Sequence, residues 1–159
     1  MKNSKKIFLK NICEYCMGKY MLLNSGPLIS SLICQLCKYV DMDVPAIHGI
    51  IRIHISENYS RSFAHCFNIY NGIIIDASIY EYALTNKAIS HLFPTYVLSN
   101  VPEHMDYIMH GELTVDSQIK FSDKFLKNIL ENIRNNTFGP VKRFSLMEDS
   151  KKENLFYCR

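Results

Sequence analysis

Residues 65–78, HCFNIYNGIIIDAS, decide the fold because they encode a β-hairpin. Two runs rich in β-branched and aromatic residues flank Asn71-Gly72, the dipeptide most typical of a two-residue type I′ turn. Such a turn needs a positive φ at both central residues, which Asn and Gly adopt at little cost. The turn predicts the register of the hairpin: Tyr70 faces Ile73, Ile69 faces Ile74, Asn68 faces Ile75 and Phe67 faces Asp76.

That register predicts that His65 and Asp76 are diagonal neighbours on one face of the hairpin, together with Ser78. A carboxylate in that place can hold one imidazole tautomer and favour the protonated ring, as a general base requires. The same spacing also fits a partly buried histidine whose carboxylate neighbour has only a structural role. The hairpin alone leaves both interpretations open.

Composition points to an ordinary globular domain spanning residues 1–159. The chain has 159 residues, 48% of them hydrophobic, and a net charge of +3, which is too small to indicate a nucleic-acid partner. No apolar run approaches the ~20 residues of a membrane span, and Lys10, Asn11 and Glu14 interrupt any signal-peptide core. We therefore expect a cytoplasmic protein with reduced cysteines, no cofactor, and neither nucleic acid nor membrane as a partner.

Periodicity predicts an α+β domain. We expect helices over 4–23 and from Pro27 onward, with Ser25 or Gly26 as the N-cap of the second. The alternation over 47–55 predicts a strand, and the polar residues 57–62 predict a turn into the hairpin. Further predicted elements are a short helix at 79–88, strands at 93–98, 105–110 and 112–115, a helix at 122–134 capped by Ser122, and a strand-like run, VKRFSL.

In the expected architecture, the N-terminal helices pack on a small, mainly antiparallel sheet built around 47–55, 63–70 and 73–78. A helix lies near the C-terminus, and residues 140–159 form a charged tail that is free to move.

Four cysteines, Cys13, Cys16, Cys34 and Cys37, have the spacing C-x2-C-x17-C-x2-C, which lies in the range of a structural zinc site. Both pairs fall within helical periodicity, however, and lack the tight turns of a zinc knuckle. Free cysteine is also among the most buried residue types. We expect Cys13, Cys16 and Cys37 in the helical core without metal.

The order of helix, turn, strand and hairpin resembles the transglutaminase-like branch of the papain-like cysteine hydrolases and transferases. Asp43-Val44-Pro45-Ala46 stands at the turn into the strand, HCFN stands where that family has its histidine motif, and Asp76 follows His65 after ten intervening residues. The resemblance covers about residues 24–80 and implies a papain-like fold. It also implies that His65 is a general base, that Asp76 orients it, and that the substrate is a peptide or protein.

The family's cysteine nucleophile lies at a helix N-terminus, which here is near Pro27 or Leu28, and this sequence has no cysteine there. Cys34 has the better chemistry, because a thiol ionises more readily than a hydroxyl. Ser25 has the better position, although serine there is also a common helix cap.

The resemblance and the hairpin together lead us to expect acyl chemistry of the cysteine-hydrolase type, either peptide or amide hydrolysis or acyl transfer. The alternatives are an inactive papain-like scaffold that binds a peptide or protein partner, and a zinc-stabilised binding module.

Overall fold

Helices pack against one antiparallel sheet in the computed structural model, which describes residues 3–20 and 24–135. The helices are α1 (Asn3–Tyr20), α2 (Gly26–Lys38), α3 (Glu81–Thr85) and α4 (Asp123–Asn135), with a 3-10 helix at Lys87–Leu92. The strands are β1 (Ala46–Ser56), β2 (Tyr59–Tyr70), β3 (Ile73–Asp76), β4 (Val97–Leu98) and β5 (Met105–Glu112). The expected α+β class is confirmed, and the tail and strand expected within 140–159 lie outside the described residues.

The sheet has five strands in the order β4-β3-β2-β1-β5, and every neighbouring pair is antiparallel. The polar turn predicted over 57–62 is confined to residues 57 and 58, because β2 already begins at Tyr59. Ser60 and Ser62 continue the ladder opposite His54 and Arg52 on an exposed part of the sheet. Polar side chains there are solvated while the backbone pairs, so polarity alone does not mark a turn.

The prediction of two strands flanking Gly111 is wrong, because β5 is a single strand that contains a β-bulge. Gly49 pairs with Met109 and His48 pairs with Gly111, which leaves His110 as the extra residue. A Cβ atom on Gly49 would overlap the carbonyl oxygen of Ile108. Only glycine therefore allows β5 to approach β1 this closely.

The segment after the hairpin contains less regular structure than predicted. The helix expected at 79–88 is divided between α3 and the 3-10 helix, and the strand expected at 93–98 is reduced to Val97–Leu98. Pro94 has no backbone N–H for a ladder, which accounts for the shortened strand.

The two faces of the sheet bury two hydrophobic cores. One core joins the sheet side chains Tyr70 and Ile75 to apolar residues of α1, α2 and α4. The other lies on the opposite face and joins Ile51 and Ile53 to residues around α3 and the 3-10 helix. Within residues 3–20 and 24–135, no helix is both long and apolar enough to cross a membrane.

Candidate functional site

The β2–β3 hairpin has the geometry that its turn residues predict. Asn71 and Gly72 have φ values of 49° and 77°, as both central residues of a type I′ turn require. The observed pairs are Tyr70 with Ile73, Ile69 with Ile74 and Asn68 with Ile75, all as expected. The register therefore brings the site residues of β2 and β3 together on one face.

His65 and Asp76 form a buried, hydrogen-bonded pair. His65 Nε2 lies 2.8 Å from Asp76 Oδ2, and the two residues are only 5% and 1% exposed. The predicted contact between them is confirmed. Their roles as general base and orienting group stay predictions.

Asp76 accepts hydrogen bonds on both oxygens. Tyr107 of β5 donates its hydroxyl to Oδ2 at 2.7 Å, while Oδ1 accepts the N–H of Ser78, the hydroxyl of Ser78 and the N–H of Ile79 at 3.0–3.1 Å. Burial alone would raise the pKa of Asp76, but the charge and hydrogen bonds of His65, with those of Tyr107 and Ser78, lower it below its usual value. Asp76 is therefore an ionised carboxylate with its acceptors filled.

The second ring nitrogen of His65 contacts Tyr82 of α3. His65 Nδ1 lies 3.0 Å from the Tyr82 hydroxyl, which is also placed to donate to the carbonyl of Ala64 at 2.8 Å. Burial, with the nearby charges of Glu81 and Asp76, raises the pKa of Tyr82, so this hydroxyl keeps its proton. Both nitrogens of the imidazole thus have partners within the protein.

Gly26, the first residue of α2, stands directly in front of the same ring nitrogen. An ideal Cβ atom on Gly26 would lie 3.5 Å from His65 Nδ1 and 3.5 Å from the backbone nitrogen of Cys66. These are ordinary van der Waals distances, so the backbone leaves room for a side chain here. The first N–H groups of a helix have no intrahelical acceptor, and this helix end is electropositive.

Ser25 lies at the N-cap position, as predicted, but its side chain does not cap the helix. Its N–H and its hydroxyl donate instead to Oε2 of Glu81, at 2.8 and 3.2 Å. Ser25 and Glu81 are 4% and 9% exposed. A carboxylate from α3 thus stabilises the start of α2.

Cys34 is buried within α2, eight residues beyond Gly26 and about 12 Å further along the helix axis. The structure therefore places it away from the electropositive helix end.

Cys13, Cys16 and Cys37 are fully buried, as predicted. Burial raises the pKa of all three thiols, that of Cys16 to about 12. Within the described part of the chain, no group of three or more His, Cys, Asp or Glu side chains is arranged to hold a metal ion.

A cleft opens beside His65, with a volume of about 580 Å³. We call it the site cleft. It is lined by Asn24, Gly26, Pro27, His48, Gly49, Ile50, Phe63, Ala64, His65, Cys66, Glu81, Tyr82 and His110. The bulge residue His110 meets His48 here, with their ring centroids 6.2 Å apart.

Comparison with protein-family models, characterised proteins and solved structures found no match to this chain. The function of this chain is therefore inferred from the residues of the site.

The hairpin predicts two of the site residues, His65 and Asp76, but it does not predict Tyr82, Tyr107, Glu81 or Gly26 as members of the site. Glu81 and Tyr82 lie in the predicted helix 79–88, close after Asp76, and that proximity was the available signal. Tyr107 reaches Asp76 from β5, which is 31 positions away. No local pattern indicates that contact.

Proposed function

We propose that this chain is a non-catalytic binding domain of the papain-like or transglutaminase-like kind. It keeps the His–Asp half of a cysteine-hydrolase site, has glycine in place of the nucleophile, and uses the site cleft to bind a peptide or protein partner. The observation that carries this proposal is the position of Gly26, whose Cβ atom would lie 3.5 Å from His65 Nδ1.

A nucleophile activated by His65 must lie within hydrogen-bond reach of the imidazole nitrogen that Asp76 leaves free. That nitrogen is Nδ1, and the start of α2 faces it. A helix N-terminus is also where a thiolate is most stable and where N–H groups can bind an oxyanion. Glycine at this position offers no atom that can attack a carbonyl.

The other candidate nucleophiles have unsuitable surroundings. Ser25 donates its hydroxyl to Glu81, and Cys34 is buried within α2. Cys66 lines the site cleft next to Gly26, but burial and the charges of Asp76 and Glu81 raise the pKa of its thiol. A raised pKa leaves little thiolate at neutral pH.

The His65–Asp76 pair has a structural role that does not require catalysis. Through Tyr82 and Tyr107, its hydrogen bonds connect β2 and β3 to α3 and β5. A buried polar network with filled partners stabilises a single arrangement of these elements.

The site cleft supports the binding half of the proposal. Its lining combines apolar side chains, such as Ile50 and Phe63, with the polar groups of His48, Glu81 and Tyr82. Mixed linings of this kind are typical of ligand sites, where apolar contacts supply affinity and a few polar groups fix orientation.

Acyl chemistry is the second candidate, and the 2.8 Å contact between His65 and Asp76 favours it. It needs a nucleophile, and Cys34 and Ser25 remain the residues predicted for that role.

Covalent labelling separates the two candidates. The full chain and its His65→Ala variant are treated at neutral pH with iodoacetamide for thiols and with a fluorophosphonate for hydroxyls. Mass spectrometry then locates the label. We expect only slow labelling that is the same in both proteins. Fast labelling of Cys34 or Ser25 that slows in His65→Ala would establish a nucleophile and contradict the proposal.

A further inference from the structure

β2 is three times as long as β3, its neighbour on the side away from β1. Part of the β2 edge on that side therefore has no strand beside it. β2 has 12 residues and β3 has 4, and their pairing is confined to Asn68, Ile69 and Tyr70 of β2. Gly26 covers the next part of the edge, at Cys66. Among the described residues, no strand lies beside the first half of β2 on this side.

The hydrogen bonds show which backbone groups face outward there. The N–H of Ile69 points to the β1 side, where it donates to the carbonyl of Pro45. Along an antiparallel strand, the N–H and C=O groups of successive residues point alternately to the two sides. The backbone groups of Ser60, Ser62 and Ala64 therefore point away from β1. Of these outward backbone groups, the Ala64 carbonyl accepts a hydrogen bond from the Tyr82 hydroxyl at 2.8 Å.

This free edge lacks the usual protection against strand pairing. Natural edge strands commonly carry several charged side chains or proline, whereas Tyr59–Cys66 of β2 contains no proline and one arginine, Arg61, whose guanidinium lies over the Phe63 ring. Ser60, Ser62 and Ala64 are exposed and small. An extended peptide can therefore approach the edge at Ser60 and Ser62, whereas at Ala64 the Tyr82 hydroxyl already occupies the outward carbonyl.

We propose that an extended peptide segment of a partner protein adds to the sheet along Ser60–Ala64 and continues into the site cleft. The alternating N–H and C=O groups of this edge match another extended strand. The inference rests on the proposed function, because it names the kind of partner that the site cleft would hold.

Arg61 and Phe63 lie on the face of β2 opposite to the side chains of Ser60, Ser62 and Ala64, and they indicate which peptide would bind. The Arg61 guanidinium lies over the Phe63 ring, 5.1 Å from its centroid, and Phe63 also lines the site cleft. Residues two apart in the added strand would lie beside these two side chains. Phe63 already packs against Tyr82 and Phe93. The position beside Arg61 therefore defines the peptide, which we expect to carry an acidic residue there. A β2 strand from a second copy has no acidic residue between Tyr59 and Cys66 to meet Arg61.

Peptides selected from a displayed random library against the full chain test this inference. Ser62→Pro removes one outward N–H at a position where an edge strand tolerates proline, and Ser62→Ala is the matched control. We expect Ser62→Pro to weaken peptide binding by about tenfold and Ser62→Ala to leave it within about twofold. Thermal unfolding of both variants verifies that they fold.

Methylation of the peptide backbone gives an independent test. N-methylation at alternate residues should abolish binding, whereas N-methylation at the intervening residues should be tolerated. Hydrogen exchange at the Ser62 and Ala64 amides should be fast in the free chain and slow in the complex. Slow exchange in the free chain, or a dimer that Ser62→Pro dissociates, would show that another segment occupies the edge and would overturn the inference.

The failure of this inference is distinguishable from failure of the proposed function. If a selected peptide is bound and cleaved in a His65-dependent way, the proposed lack of catalysis is wrong while pairing at the edge stands. If it is bound intact and equally well by Ser62→Pro and Ser62→Ala, pairing at the edge is wrong. If no peptide is selected at all, pairing at the β2 edge is also wrong.

Discussion

His65 Nε2 lies 2.8 Å from Asp76 Oδ2, with both side chains buried at the end of the β2–β3 hairpin. The Asn71-Gly72 turn sets the register that brings them together, and Tyr107 binds the same carboxylate oxygen from β5. The pair therefore ties the hairpin to the far side of the sheet, and its loss should be measurable as a change in stability.

Asp76→Asn should lower the free energy of unfolding by about 3–5 kcal/mol, because it removes the buried carboxylate that His65, Tyr107 and Ser78 share and leaves these partners imperfectly matched. Denaturation in urea measures this change. Asp106→Asn is a matched control, since Asp106 pairs with His54 at 2.6 Å on an exposed part of the sheet. It should cost less than about 1 kcal/mol. Equal costs for the two substitutions would contradict a structural role for the buried pair.

The stabilisation from Asp76 should depend on pH. The folded state lowers the pKa of Asp76, so the unfolded chain binds this proton more readily than the folded chain. The stabilisation is fully present above the unfolded pKa of about 3.9 and is lost as the pH falls through the lower, folded value. The difference in unfolding free energy between wild type and Asp76→Asn should therefore shrink below about pH 4. A difference that stays constant or grows in acid would contradict the lowered pKa.

Gly49→Ala should destabilise the fold by about 3 kcal/mol, because the new methyl group would overlap the Ile108 carbonyl oxygen and separate β5 from β1. Gly18→Ala in α1 is the matched control. A Cβ atom there has no neighbour within 4 Å, and alanine should stabilise the helix by about 0.5–1 kcal/mol. Thermal unfolding measures both changes, and a mild effect at Gly49 would argue against the close approach of β5.

Glu81→Ala should destabilise α2 by about 1–2 kcal/mol, because Glu81 accepts hydrogen bonds from both the N–H and the hydroxyl of Ser25 at the electropositive helix end. Ser25→Ala removes only the hydroxyl and should cost less. Chemical denaturation of both variants decides the order. A larger loss in Ser25→Ala would show that Ser25 stabilises the helix without Glu81.

Local rules predict the hairpin and its His–Asp contact because turn chemistry and a period of two determine them over a short stretch of chain. Contacts from Tyr107 and Tyr82 depend instead on strand order and on how α3 packs, which no local pattern encodes. The sequence marks Gly26 only as a candidate cap residue. Its importance lies in its distance from His65, which follows from the way α2 covers the edge of β2 at Cys66.

The central claim is that Gly26 occupies the position where a nucleophile would face His65. Gly26→Cys should place a thiol at the N-terminus of α2, within reach of His65 Nδ1. Gly18→Cys is the control, since it adds an exposed thiol to another helix away from the site.

The deciding measurement is the rate at which iodoacetamide labels the introduced thiol at neutral pH, with the labelled position identified by mass spectrometry. We expect Gly26→Cys to be labelled at least about tenfold faster than Gly18→Cys, and this advantage to disappear when His65→Ala is added. Equal rates in the two single variants, or a fast rate that persists without His65, would contradict the claim that position 26 is the empty nucleophile position.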